Sequence, residues 1–137
     1  MQNRLMVLRI IWGAMLMGQV VFMFVALTAG HGQSGTDVKL LERACAGMFI
    51  VIVPTAFVLR KVIYRGNSPG GNLTMAGYST GNILFWAMCE GVSFFGLVIT
   101  FQSGTPGLAF AIAVAAMIVQ IVNFPTGGPV KDSTDQA

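Results

Sequence analysis

The chain has 137 residues, of which 55% are hydrophobic and 9% are charged. Its mean hydropathy is +0.74. Its charged fraction is far below the roughly 25% that is typical of soluble domains. This composition excludes an ordinary soluble domain and predicts a single membrane domain over residues 1–137. The net charge of +3 comes from eight dispersed Lys and Arg residues, so we expect no nucleic-acid partner.

Four apolar runs predict four transmembrane helices. They span about 5–29, 44–64, 82–102 and 106–124. The first run is longer than the apolar region of a secretory signal, so we expect it to be retained as a helix. Pro54 lies in the middle of the second run and predicts a kink there.

The connections between the runs differ in length and composition. Thr36 or Asp37 is expected to cap the second helix. The segment 65–81 is dense in Gly, Ser, Asn and Pro and predicts a long loop without a core of its own. The short link 103–105 forces the third and fourth helices into an antiparallel hairpin, and residues 125–137 are expected to form a flexible tail.

These elements predict an all-α membrane fold, a four-helix up-down bundle. The basic residues predict its orientation, because cytoplasmic segments are enriched in Lys and Arg. One side carries six of them and the other carries two, so we expect both termini and the 65–81 loop in the cytoplasm. The six are Arg4, Arg9, Arg60, Lys61, Arg65 and Lys131, and the two are Lys39 and Arg43.

Glu90 stands near the middle of the third apolar run, where an ionisable group costs about 2.5 to 3.5 kcal/mol unless it is partnered. At 1.5 Å per residue, Arg9 lies about 8 Å and Glu90 about 12 Å from the cytoplasmic side, with helix starts near residues 4 and 82. Gln120 lies about 6 Å deep on the same scale. We therefore predict that Arg9 pairs with Glu90, with Gln120 or Trp12 as an added hydrogen-bond partner.

Ser93 shares the helix face of Glu90 and completes the predicted polar cluster. Ala87 and Gly91 form a pair of small residues beside the acid, which predicts close packing of a neighbouring helix. Two alternatives to a structural ion pair stay open: Glu90 is a proton or cation site, or it meets another subunit or a lipid headgroup.

Other kinds of site are not expected. Cys45 and Cys89 have no CxxC spacing and are predicted in different environments, which disfavours a disulfide or a zinc site. His31 stands alone in a loop and lacks convergent metal ligands. Since no nucleophile with a nearby base, metal cluster or phosphate loop can be assembled, we predict no enzymatic activity, no catalytic residue and no cofactor.

The run from Met88 to Ile99, MCEGVSFFGLVI, resembles the carboxylate helix of the rotary ATP synthase ring subunit, the proteolipid or subunit c. This resemblance implies that Glu90 matches the proton- or sodium-carrying carboxylate of the ring. The preceding run departs from that family, because it contains Pro54 and a single glycine, Gly47. In size and layout the whole chain resembles small four-helix membrane proteins of bacteria, a resemblance that implies a place in the bacterial inner membrane but no activity.

The sequence therefore predicts a non-enzymatic integral membrane protein, an accessory or structural subunit with an intramembrane pair of Arg9 and Glu90. The alternative is a proton- or cation-translocating, proteolipid-like protein that uses Glu90. In both cases we expect the lipid bilayer, further copies of the chain or other membrane subunits as partners.

Overall fold

The computed structural model describes residues 2–30, 32, 38–128 and 130, where the chain is helical in four long stretches. These are α1 (Gln2–Ala29), α2 (Val38–Gly66), α3 (Met75–Ser103) and α4 (Leu108–Val122), with a short 3-10 helix at Pro69–Gly71. The first three helices are long and apolar enough to cross a membrane, and α4 is a shorter apolar helix. This confirms the all-α class and indicates an integral membrane protein. The expected cap at residues 36–37, His31 and Lys131 lie outside the described residues.

The third helix is the centre of the bundle. It packs against each of the other three helices, and its side chains Phe85, Trp86 and Leu97 are fully buried. The first two helices instead expose large apolar side chains such as Phe24 and Ile50. Such apolar faces are stable in contact with the hydrocarbon of a bilayer. The third helix therefore forms the protein core, while α1 and α2 present much of the lipid-facing surface.

Aromatic pairs define the relative directions of the helices. The Phe22 ring of α1 packs at a tilt against the Phe94 ring of α3, with ring centroids 5.5 Å apart, and Gly30 lies against Phe101. Because the residue numbers on α1 and on α3 increase in the same direction from one contact to the next, α1 runs parallel to α3. The pair of Phe57 and Phe85, at 4.7 Å, together with the contact of Tyr64 with Gly81, shows that α2 runs antiparallel to α3.

One end of the bundle thus contains the start of α1, the end of α2 and the start of α3; we call it the Met75 end. Arg4, Arg60 and Arg65 lie near it, whereas Lys39 and Arg43 belong to the opposite end, at the start of α2. The fourth helix points toward the Met75 end, because Ala109 at its start meets Gly96 and Asn123 just after it meets Trp86.

The third helix begins well before the predicted start at Asn82. The Thr74 side chain caps it by accepting a hydrogen bond from the Gly77 amide, at 3.2 Å, as N-cap threonines commonly do. A Cβ atom at Gly81 would lie 2.6 Å from the Tyr64 ring. Gly81, one of the glycines that made 65–81 resemble a loop, therefore permits close packing of α3 against α2.

The second helix continues through Pro54 from Val38 to Gly66. Next to the proline, the Thr55 hydroxyl donates a hydrogen bond to the Val51 carbonyl, at 2.6 Å. Membrane helices tolerate proline where side chains and neighbouring helices satisfy the backbone.

The segment expected to be a flexible tail, 125–137, begins with ordered packing. Pro125 and Gly127 are buried, and the Gly127 amide donates to the Tyr78 hydroxyl at 3.0 Å. A Cβ atom at Gly127 would lie 2.7 Å from the Leu5 side chain. Residues 125–128 therefore belong to the bundle, whereas 131–137 lie outside the described residues.

The backbones of α3 and α4 approach each other closely at Gly96. A Cβ atom there would lie 2.5 Å from the Ala109 carbonyl oxygen and 3.0 Å from Ala113, so only glycine fits. The small pair of Ala87 and Gly91, where close packing was expected, is instead exposed, and a Cβ atom at Gly91 would meet no described atom within 4 Å.

We expect Gly96→Ala to lower the free energy of unfolding by about 1 to 3 kcal/mol, the usual cost of overpacking. Gly47→Ala is the matched control, because a Cβ atom at the exposed Gly47 of α2 would meet no described atom within 4 Å; it should raise helix stability by about 0.5 to 1 kcal/mol. Unfolding of both variants by denaturing detergent measures the difference. Equal stabilities would contradict the packing described for α3 and α4.

Candidate functional site at the end of α4

The fourth helix is short, and the carbonyl groups at its end need hydrogen-bond donors from outside the helix. Its residues Leu108–Val122 rise about 22 Å, less than the roughly 30 Å hydrocarbon core of a bilayer. It ends beside Trp86, in the interior of α3. The last carbonyl groups of a helix have no partner within the helix, and in hydrocarbon each unsatisfied group costs several kcal/mol.

Side chains of the other helices donate to carbonyl groups in the last turn of α4 and in the residues just after it. The indole Nε1 of Trp12 donates to the Gln120 carbonyl at 3.1 Å, and that of Trp86 donates to the Asn123 carbonyl at 3.2 Å. Arg9 Nε donates to the Pro125 carbonyl at 3.4 Å. We call Arg9, Trp12, Arg60 and Trp86 the capping layer.

Arg60 completes this layer from α2. Its Nη1 donates to the Asn123 side-chain oxygen at 2.9 Å, while the Asn123 amide nitrogen donates back to the Val119 carbonyl at 2.8 Å. Side chains from α1, α2 and α3 thus all form hydrogen bonds with residues 120–125. The end of α4 is therefore in contact with each of the other three helices.

Aromatic rings hold the two cationic side chains. The Arg60 guanidinium lies 4.5 Å from the centroid of the Phe85 ring, and the Arg9 guanidinium lies 5.4 Å from that of Phe124. These cation–π contacts are strongest where water is excluded. The last turn of α4 contains no basic residue of its own, so Arg9 and Arg60 supply the positive charge that stabilises the C-terminal end of a helix dipole.

A buried amide pair lies deeper in the bundle. Gln19 Nε2 donates to Gln120 Oε1 at 2.8 Å, and both side chains are fully buried. Three buried polar atoms have no partner among the described residues: Gln19 Oε1, Gln120 Nε2 and Ser93 Oγ. The amide pair links α1 to α4 by an interhelical hydrogen bond of the kind that joins membrane helices.

Glu90 follows Trp86 by one turn on α3 but makes no hydrogen bond or ion pair with the capping layer. Because α3 begins at Met75 and α1 at Gln2, Glu90 lies about 22 Å along its helix and Arg9 about 10 Å along the parallel helix α1. The Phe22 and Phe94 pair places Glu90 level with Gly18. Within the described chain no Lys or Arg nitrogen lies within 4.0 Å of a carboxylate oxygen, so the predicted pair of Arg9 and Glu90 is not formed.

The structure therefore brings together some of the predicted cluster and not the rest. Trp12 and Gln120 are hydrogen-bonded, and Arg9 contacts the same end of α4. Ser93 is buried without a hydrogen-bond partner in the described part of the chain, and Glu90 is half-buried on α3. The residues that the sequence reasoning did not place in the cluster are Gln19, Arg60, Trp86 and Asn123. Their signal was available, since each is a polar or indole-bearing side chain within an apolar run.

The two cysteines are free and buried. Among the described residues no three His, Cys, Asp or Glu side chains are grouped closely enough to hold a metal ion. No family model matches the chain, and neither a curated protein nor a solved structure shows detectable similarity to it. Its function is therefore argued from its own residues.

The amide pair allows a sharp test. Gln19→Leu should lower the free energy of unfolding by about 1 to 3 kcal/mol, because it leaves the buried Gln120 amide without its partner. Gln120→Leu should have a similar effect. The double variant should regain most of the loss, since replacing both partners by apolar groups of similar shape is nearly neutral. Detergent unfolding of the three variants checks this, and additive losses in the double variant would contradict a direct interaction.

Proposed function

We propose that this chain is a non-enzymatic integral membrane protein that serves as a structural or accessory subunit of a membrane assembly. The observation that carries the proposal is Glu90, a half-buried carboxylate midway along a membrane-spanning helix without an ion pair among the described residues. A charged group there costs about 2.5 to 3.5 kcal/mol. A hydrogen-bond donor or a cation on a neighbouring subunit would offset that cost.

The surface beside Glu90 suits such a neighbour. Ala87 and Gly91 flank the acid on α3, both are exposed, and a Cβ atom at Gly91 would meet no described atom within 4 Å. Small residues allow another helix to approach closely enough for interhelical hydrogen bonds. The neighbour that we propose is a transmembrane helix of a second protein or of a second copy of this chain.

For the orientation, we propose that both termini and the Met75 end face the cytoplasm of a bacterial inner membrane. The support is the grouping of Arg4, Arg60, Lys61 and Arg65 toward this end of the bundle, because positive charge is retained on the cytoplasmic side.

A second candidate function is proton or cation translocation by Glu90. The same observation favours it, since a carboxyl group in hydrocarbon without a cationic partner is a functional-site hypothesis by default. It differs from the first candidate in requiring that Glu90 exchange a proton or an ion rather than hold a neighbouring helix.

Photocrosslinking in native membranes tests the first candidate. A photoreactive residue at position 87 or 91 should form an adduct with another protein or with a second copy, and Glu90→Leu should reduce that adduct. The same residue at Val58, an exposed position on α2, is the matched control and should label lipid. The absence of protein adducts at 87 and 91 would refute a subunit contact there.

Dicyclohexylcarbodiimide distinguishes the two candidates, because it modifies protonated carboxyl groups in apolar sites. Rapid labelling of Glu90 that slows as the pH rises, together with proton flux that Glu90→Gln abolishes in vesicles, would favour translocation. A carboxyl that resists the reagent and a variant with unchanged flux would favour the subunit contact.

A further inference from the structure

A groove lies between α1 and α3 at the Met75 end of the bundle. It has a volume of about 270 Å³ and is lined by Asn3, Arg4, Val7, Leu8, Ile11, Ser79 and Ile83. Most of its wall is aliphatic, and its polar side chains include Asn3 and Arg4 at the start of α1. The groove is therefore mostly apolar, with one cationic side chain, Arg4, at the end nearest the start of α1, which we call its mouth.

The groove runs along the helix axes rather than across them. Arg4 lies in the first turn of α1, and Ile11 lies about 10 Å further along the helix. In a bilayer, the start of α1 lies at the headgroup level while Val7, Ile11 and Ile83 face hydrocarbon. An occupant must therefore be charged at one end and apolar at the other, in the direction of the membrane normal.

Arg4 differs from the arginines of the capping layer. Arg9 and Arg60 donate to the end of α4, whereas Arg4 is exposed and makes no hydrogen bond or ion pair with the residues that the structure describes. A guanidinium group matches the geometry of a phosphate with two parallel hydrogen bonds. Its position at the mouth favours a negatively charged group there.

We propose that this groove is a binding site for an anionic phospholipid, with the phosphate at Arg4 and one acyl chain along Val7, Ile11 and Ile83. Basic pockets between transmembrane helices are suited to anionic lipid headgroups. Inorganic phosphate would leave the aliphatic wall uncovered, and a zwitterionic lipid would contribute no net charge to the contact with Arg4.

Thermal unfolding of the purified chain in nonionic detergent tests the site. Phosphatidylglycerol should raise the midpoint more than phosphatidylcholine with the same acyl chains, because a ligand that binds only the folded state stabilises it. Arg4→Gln should abolish this difference. Arg65→Gln removes a charge at the same end of the bundle but on α2, so it should retain the difference.

Two further measurements separate the headgroup from the chain. Val7→Trp, which fills the groove from an exposed position, should reduce the number of phosphatidylglycerol molecules retained in native mass spectrometry. Inorganic phosphate alone should not shift the midpoint. Any one of four results would overturn the proposal. Two concern the midpoint: equal shifts with both lipids, or a full shift with phosphate alone. The others are equal losses in Arg4→Gln and Arg65→Gln, and unchanged lipid retention in Val7→Trp.

Discussion

The fold depends on how the short helix α4 ends within the membrane-spanning bundle. Its last carbonyl groups lie beside Trp86, in the interior of α3, where an unsatisfied backbone group is costly. Trp12, Trp86 and Arg9 donate to the carbonyls of residues 120, 123 and 125. Because these donors belong to α1 and α3, the termination of one helix fixes the positions of others, and Arg60 adds α2 through Asn123.

This constraint separates two kinds of charged side chain. Arg9 and Arg60 are occupied by the end of α4 and by aromatic rings, so they serve the fold. Glu90 and Arg4 make neither a hydrogen bond nor an ion pair with the described residues, which makes them the residues through which we propose contact with a neighbouring helix and with a lipid. Internal structure and external interaction thus use different polar groups of the same bundle.

The hydrophobic pattern predicted the membrane class and the existence of four helices, because apolar runs of this length are typical of transmembrane helices. The predicted pair of Arg9 and Glu90 depended on where α3 begins, and hydropathy does not contain that information. Thr74 and the contact of Gly81 with Tyr64 extend the helix into a polar segment, which moves Glu90 away from the level of Arg9. Likewise, Arg60 was predicted only as a flanking charge, since its partner Asn123 is distant in sequence.

The most direct test of the capping layer is hydrogen–deuterium exchange of the chain in lipid nanodiscs, followed at the amides of Asn123 and Gly127. Asn123 donates to the Val119 carbonyl and Gly127 donates to the Tyr78 hydroxyl, so slow exchange at both is expected, far below that of exposed Gly70. Protection should fall when Trp86→Phe and Arg60→Met are combined. Exchange at Asn123 and Gly127 as fast as at Gly70 in the unmodified chain would contradict a fixed end of α4.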